Sequence, residues 1–319
     1  MKRLIICIVS AVLFSMLPVQ ARAADYLIPV GRIIGLQLRG HSMTVVAYDE
    51  NIGANARAAG LKIGDEILSI DDQTITCAED VRSALERCGN RVSLTVRREN
   101  SKKDLVLSAN QTQDGPRLGV YLRQGIAGIG TVTFFDPDTG IFGTLGHGVC
   151  NAKGTLLDMT TGSAYEAAIA SVKKGRAGDP GQLKGSTGDE TGLLLRNTPQ
   201  GVFGISKNGW PGEALPTADY ETIRTGSAVI RSTVCGSSPQ EYSVDILKIY
   251  PEDRPDGRNF LLRVTDPALL EATGGIVQGM SGSPIIQDGK LIGAVTHVLV
   301  NDPTRGYGIF IENMLDAAA

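Results

Sequence analysis

The 319-residue sequence predicts a mainly β protein of two units, a smaller α+β unit ahead of a larger all-β one. Three observations carry that reading. Glycine occupies 39 positions, well above the usual share of about 7%, which suits a chain of many tight turns. Apolar residues alternate in short runs bounded by turn residues, the pattern of half-buried strands. A chain of this length also buries one large core or, more naturally, two.

Hydrophobic residues make up 42% of the chain and charged residues 20%, an ordinary globular composition. The formal net charge of −3 leaves no basic surface for wrapping nucleic acid, which is excluded as a partner.

Residues 1–23 read as an export leader. Lys2 and Arg3 precede an uncharged, mostly apolar run from Leu4 to Val19, and Ala21-Arg22-Ala23 supplies the small-x-small pattern of a cleavage site. The run is short for a spanning helix, which needs about 20 residues. Cleavage after Ala23 is expected, with retention as a membrane anchor the alternative; both put the folded part outside the cytoplasm. Of the five cysteines, Cys7 lies in the leader. Cys77 and Cys88 flank an expected helix that would hold them about 15 Å apart, too far to bridge. Cys150 and Cys235 are left open as a pair, and free thiols are expected. Without a CxxC or Cys/His cluster, neither a metal nor a cofactor is expected.

The first unit is expected over residues 26–108. Ile34 to Leu38 and Met43 to Tyr48 alternate as strands, and Ala54 to Ala59 forms a short helix stopped by Gly60. After a turn at Gly64-Asp65, Ile67 to Ile70 is a buried strand. Ala78 to Arg87 carries Val81, Ala84 and Leu85 at helical spacing with Gly89 just beyond. Val92 to Val96 closes the unit. The stretch Ala58-Ala59-Gly60-Leu61-Lys62-Ile63-Gly64-Asp65-Glu66-Ile67-Leu68-Ser69-Ile70-Asp71 resembles the PDZ signature. That resemblance implies a peptide groove between one strand and the second helix, where a chain end adds to an open sheet edge. By the same analogy Ile34, Gly35, Leu36 and Leu38 would face Val81 and Leu85 across it, with Val30 to Ile34 as the carboxylate-binding loop.

The second unit is expected over residues 118–319. Short apolar runs recur between turns, among them Gly128 to Phe135, Gly140 to Leu145, Gly192 to Leu195, Ser243 to Ile249 and Leu291 to Val295. So many strands suggest a sandwich or a pair of barrels. Within this unit Gly279-Met280-Ser281-Gly282-Ser283-Pro284 has the form of the nucleophile turn of trypsin-like peptidases. Such a turn must expose the serine hydroxyl while nearby amides point into one pocket, so the N–H groups of Gly279 and Ser281 are the expected oxyanion donors. A serine hydroxyl needs a base to take its proton. The chain has three histidines. His41 lies in the first unit, and Gly146-His147-Gly148, in trypsin-like order before the serine, makes His147 the candidate. His297 is read as a pocket residue contacting substrate or as a structural histidine, and Cys150 has no nucleophile turn around it. For the group that orients the base, ordinary spacing leaves Asp179, Asp189 and Asp219 open.

The run from Leu262 through Thr265-Asp266-Pro267 and Gly274-Gly275-Ile276-Val277-Gln278 to Pro284, continued by Gly293-Ala294-Val295-Thr296-His297-Val298 and Asn301-Asp302-Pro303-Thr304, resembles the stage IV sporulation protein B peptidases. The order of leader, PDZ signature, Gly-His-Gly and serine turn is also that family's. The resemblance implies a trypsin-like double β-barrel serine endopeptidase with His147, Asp266 and Ser281 as its catalytic set. It further implies cleavage of a membrane-associated regulatory protein between mother-cell and forespore membranes, releasing a late sigma factor. Self-cleavage near the N-terminus, with self-association for cutting in trans, belongs to the same expectation. The competing expectation is a PDZ adaptor whose peptidase unit is a degenerate scaffold. An alternative role for Asp266 is that of a cap on the helix-like stretch after Pro267.

Overall fold

Alternation of buried and exposed residues carries this chain into strands longer than its short apolar runs. The structure, a computed structural model, describes residues 26–99, 101–151 and 154–319, so the leader expected over 1–23 lies outside the described residues. A short β1 (Tyr26–Pro29) leads into the 16-residue β2 (Ile33–Tyr48). There follow α1 (Ala54–Ala58), β3 (Glu66–Ile70), β4 (Gln73–Thr74), α2 (Ala78–Arg87), β5 (Arg91–Arg98), β6 (Ser101–Ser108) and the pair β7 (Asn110–Thr112) and β8 (Gly115–Arg117). Then β9 (Val120–Phe135) returns antiparallel beside β2 along both of their lengths.

The first barrel closes with β10 (Ile141–Thr144), β11 (Met159–Lys173), β12 (Gln182–Thr198) and β13 (Gly201–Ser206). Its antiparallel pairings run β9–β10–β13–β12–β11–β2 and return to β9, leaving no edge. After β14 (Leu215–Pro216), which pairs with β1, the second barrel is built from β15 (Gly226–Ser232), β16 (Gln240–Ile249), β17 (Phe260–Val264), β18 (Pro284–Gln287), β19 (Lys290–Leu299) and β20 (Asp302–Phe310). It closes in the order β15-β16-β17-β20-β19-β18. Helix α3 (Pro267–Thr273) lies between β17 and β18, and α4 (Ile311–Ala318) ends the chain. The mainly β reading holds, and the two barrels resolve the choice between sandwich and barrels.

Separate apolar clusters fill the two barrels and the inserted unit. A fourth joins the barrels: Leu27 of β1 with Phe134 and Phe203 of the first barrel meet Leu291, Ala294 and Ile309 of the second, under Ile311, Met314 and Leu315 of α4. Burying a phenylalanine side chain fully stabilises by about 1.5–3 kcal/mol. Phe134 and Phe203 together therefore contribute much to the fixed approach of the barrels.

The structure corrects the boundary between the units and the place of the groove. From Ile33 to Leu38, β2 is a barrel strand: Leu36 is paired with Gly128 of β9 on one side and with Ala164 of β11 on the other. An added peptide strand needs an open edge, and Ile34, Gly35, Leu36 and Leu38 have none. Val30 and Gly31, expected in a carboxylate-binding loop, instead donate to Thr133 and Val132 carbonyls of β9. The register of the β2–β9 ribbon breaks between Leu38 and Met43, and beyond the break Met43 to Tyr48 belongs to the inserted unit. Gly125 (φ +77°) makes the break feasible, since a Cβ there would run into the Leu38 carbonyl oxygen. The PDZ-like unit is thus an insertion between two neighbouring barrel strands. The peptidase unit includes β1 and the first half of β2 as well as the expected 118–319. Val81 and Leu85 do lie in the inserted core, together with Leu118, Val120 and Leu122 at the start of β9. Among the described residues, Val120 to Gln124 pair with β2 alone and β6 pairs with β5 alone, so one open edge of this unit is on β9 and the other on β6.

Candidate active site

The serine turn sits where the barrels meet, held by hydrogen bonds from both. Thr131 of β9 donates its N–H to the Ser281 carbonyl and its hydroxyl to the Gly279 carbonyl, both at 2.9 Å. Thr133 donates its hydroxyl to the Gly282 carbonyl at 2.8 Å, and the Gly282 N–H reaches the Val295 carbonyl on β19 at 2.7 Å. Gly282 (φ +94°) packs so closely on β9 that a Cβ would collide with the Thr131 carbonyl oxygen. Behind it the buried Ser283 hydroxyl donates to the Met280 carbonyl at 2.7 Å. Among the described residues the N–H groups of Gln278, Met280, Gly282 and Ser283 all find backbone acceptors, whereas those of Gly279 and Ser281 find none. Two unpaired amides beside one hydroxyl are what an oxyanion site requires.

His147 comes from the first barrel. It follows β10 through Leu145 and Gly146, both left-handed at φ +71° and +67°. For a leucine that backbone is strained, and it turns the chain sharply out of the strand just before the imidazole. A Cβ on Gly146 would press on Thr296 and Ile309 of the second barrel, so the turn is clamped between the two. His147 Nδ1 lies 3.0 Å from the Gly148 carbonyl oxygen. A donating Nδ1–H leaves Nε2 with its lone pair, the tautomer that accepts a proton. Burial pushes the His147 imidazole below its ordinary value of 6.5, with the Gly148 carbonyl opposing.

His147, Ser281, Gly279 and His297 share one cavity of about 470 Å³. Leu36, Leu38, Ile126, Ile129 and Leu145 give it an apolar wall and Cys150 its rim. Sequence reasoning missed that wall because it had placed Leu36 and Leu38 in the peptide groove; pairing on both edges of β2 would have been the signal, and that is a tertiary fact. It also missed Thr296, whose carbonyl accepts the Ser281 hydroxyl at 2.6 Å, and the backbone partner Gly148. His297, on β19, stacks obliquely against His147 with ring centroids 4.9 Å apart and planes tilted by 38°.

Asp266 does not join this group. One carboxylate oxygen accepts from Ala268 and Leu269 N–H at 2.9 and 3.1 Å, the other from Ser243 N–H at 3.3 Å. It is the N-cap of α3, with Pro267 at the first helical position. The alternatives fare no better. Asp179 pairs with Lys173 at 2.7 Å, Asp219 caps the turn at Tyr220–Thr222, and among the described residues no carboxylate is a hydrogen-bond partner of His147. Cys77, Cys88, Cys150 and Cys235 are all free thiols.

Two closed six-stranded barrels with a serine turn and a histidine between them define a trypsin-like serine peptidase carrying an inserted PDZ domain. The family model of SpoIVB peptidase S55 matches residues 114–315, and that of the PDZ domain residues 33–108. The chain belongs to the SpoIVB peptidase S55 family. Among curated proteins, none matches it. Among solved structures, it resembles the active form of the Rv3671c protease from M. tuberculosis at 16% identity, covering 60% of this chain and 73% of that one, with a TM-score of 0.38. The inactive form of the Rv3671c protease is similar at 17% identity over 60% and 82% of the two chains, with a TM-score of 0.35. These likenesses are distant.

Proposed function

We propose that the protein cleaves peptide bonds with Ser281 as nucleophile and His147 as general base. The observation that carries this is the unpaired Gly279 and Ser281 amides flanking the Ser281 hydroxyl in the cavity that holds His147. The hydroxyl rests on the Thr296 carbonyl, so the first event is its rotation toward Nε2 of His147. Attack on the substrate carbonyl then moves the serine proton to His147, and the two amides hold the oxyanion. His147 passes the proton to the leaving amine, and water releases the acyl group by the reverse route.

The substrate is a protein, and a chain end or extended segment of it would add to β9 at Val120–Gln124 beside α2. Among the described residues that stretch of β9 pairs with β2 alone, which leaves its other side open to an added strand; the outer side of β6 is the sheet's second open edge. Sequence resemblance supports a finer reading: a sporulation signalling peptidase, exported or membrane-anchored, that cuts a membrane-associated regulator and also its own N-terminal segment in trans. No helix among the described residues is long and apolar enough to cross a membrane.

The test uses the full chain. A fluorophosphonate probe labels the wild type but not Ser281→Ala, and mass spectrometry after incubation shows self-cleavage in the wild type alone. Losing the nucleophile lowers the rate by about 10⁴–10⁶. An adaptor with a degenerate peptidase unit would take no label, and proteolysis by folded Ser281→Ala would sink the assignment.

A further inference from the structure

An oxyanion site works only while its two N–H groups stay aimed at one point, and each is set by the peptide it belongs to. In a trans peptide the carbonyl and the following N–H point in opposite directions, and no described peptide bond is cis. Whatever holds the carbonyl of Gln278 or Met280 from behind therefore aims the N–H of Gly279 or Ser281 forward. The Met280 carbonyl is held inside the serine turn itself, by the Ser283 N–H at 3.0 Å and the Ser283 hydroxyl at 2.7 Å. The Gln278 carbonyl is held from elsewhere in the chain. Among the described residues its donor is the N–H of Leu183, at the start of β12, at 2.8 Å. Gly279 (φ +102°) lacks the Cβ that would oppose a flip of the Gln278–Gly279 peptide, so the bond from Leu183 decides which way that peptide faces.

The β11–β12 hairpin carries Leu183 to this place. It grows out of the first barrel, and its tip lies against the segment before the serine turn. The Gly175 N–H reaches the Thr273 carbonyl at 2.8 Å, the Gly178 N–H reaches the Val300 carbonyl at 2.9 Å, and the Gln278 N–H returns to the Gly181 carbonyl at 3.0 Å. A Cβ on Gly181 would meet the Lys173 carbonyl oxygen, and one on Gly274 would meet the Gly175 carbonyl oxygen, so the contact is close on both sides. Leu183 is fully buried, and its side chain packs over Gly279. Resting on the reading of Ser281 as nucleophile, we propose that Leu183 is a positioning residue of this peptidase: its N–H clamps the Gln278 carbonyl and so keeps the Gly279 N–H turned into the cavity. Released from the hairpin, the peptide turns over, the Gln278 carbonyl oxygen faces the oxyanion site, and the tetrahedral state loses one of its two donors. Docking of the hairpin tip thus sets the activity of the serine turn without touching Ser281 or His147.

Leu183 stands opposite Val172 of β11 with its N–H directed out of the hairpin, so a proline there takes no bond from the β11–β12 ladder. The experiment compares wild type, Leu183→Pro and Leu183→Ala in the full chain. It reads kcat and KM on a cleavable peptide, and affinity for phenylboronic acid, whose serine adduct places an oxygen in the oxyanion site. Leu183→Pro lacks the N–H and should lose about 10²–10³ in kcat, the effect of one missing oxyanion donor, with KM within a few-fold. Its affinity for phenylboronic acid should fall together with kcat, a link that general loosening of the fold does not produce. Leu183→Ala keeps the N–H and should retain most of the wild-type kcat. Wild-type kcat in folded Leu183→Pro overturns the proposal, and so does an equal loss in both variants or a loss that leaves phenylboronic acid binding unchanged. Hydrogen exchange in the unmutated chain decides independently of how the variants fold. The Leu183 amide must exchange slowly, and the Gly279 amide must pass from fast to slow exchange when phenylboronic acid binds. Fast exchange at Leu183, or no slowing at Gly279, overturns the clamp. Absence of fluorophosphonate labelling in the wild type would instead overturn the peptidase reading itself.

Discussion

Asp266 illustrates how one side chain is claimed by its nearest backbone. A carboxylate directly before Pro267 finds the N–H groups of Ala268 and Leu269 pointing at it, and the helix-end dipole favours the charge. Asparagine caps nearly as well as aspartate, whereas alanine costs about 1 kcal/mol. Asp266→Asn should therefore leave both stability and kcat within about threefold of wild type, and Asp266→Ala should lower the unfolding free energy with kcat preserved in the folded fraction. Denaturant melts beside steady-state rates decide it. A loss of about 10⁴ in Asp266→Asn would show that the carboxylate orients His147 after all.

The β2–β9 ribbon is the element that ties the domains together. One half lies in the first barrel, the other forms part of the inserted domain, and Thr131 on β9 holds the Ser281 turn. Tyr48 and Val120 face each other as the last pair before the insertion departs, close enough for a two-residue hairpin to join them. Replacing residues 49–119 by such a turn should leave a cooperatively folding protein that still takes the fluorophosphonate probe, while cleavage of a protein substrate falls. Deleting everything before Leu118 removes a wall of the barrel and should abolish folding and labelling together. A folded excision variant that takes no label would make the inserted domain part of the catalytic fold.

Across the whole molecule the buried imidazole pair sets the response to acid. Burial holds both His147 and His297 below the ordinary imidazole value of 6.5, His297 at about 4. Their folded-state values lie below the unfolded ones, so as pH falls the unfolded chain binds protons first. Stability is thus full above about pH 6.5 and declines toward pH 4. The expected observation is a melting temperature that drops between pH 7 and pH 5, less steeply in His297→Gln. A flat profile would mean that the pair is solvated rather than buried. The acid limb of kcat/KM should likewise lie below pH 6.5 in the wild type.

Much of this was legible in the residues. The turns at Gly60 and Gly64, the helix over Ala78–Arg87 and the serine turn are specified by contiguous residues, because backbone freedom, helical spacing and capping act within a few positions. So were the candidates His147 and Ser281, each marked by the glycines its backbone needs. Other features depended on which strands pair, and neighbouring residues do not encode that. Ile34 to Leu38 alternate equally well for a groove strand or a barrel strand, and only β11 on the far edge makes them barrel. His297 and His147 come together because β19 and the loop after β10 belong to different barrels that pack through Phe134, Ala294 and Ile309. Asp266 has the same chemistry in either role, and only the structure places it at the start of α3 as that helix's N-cap.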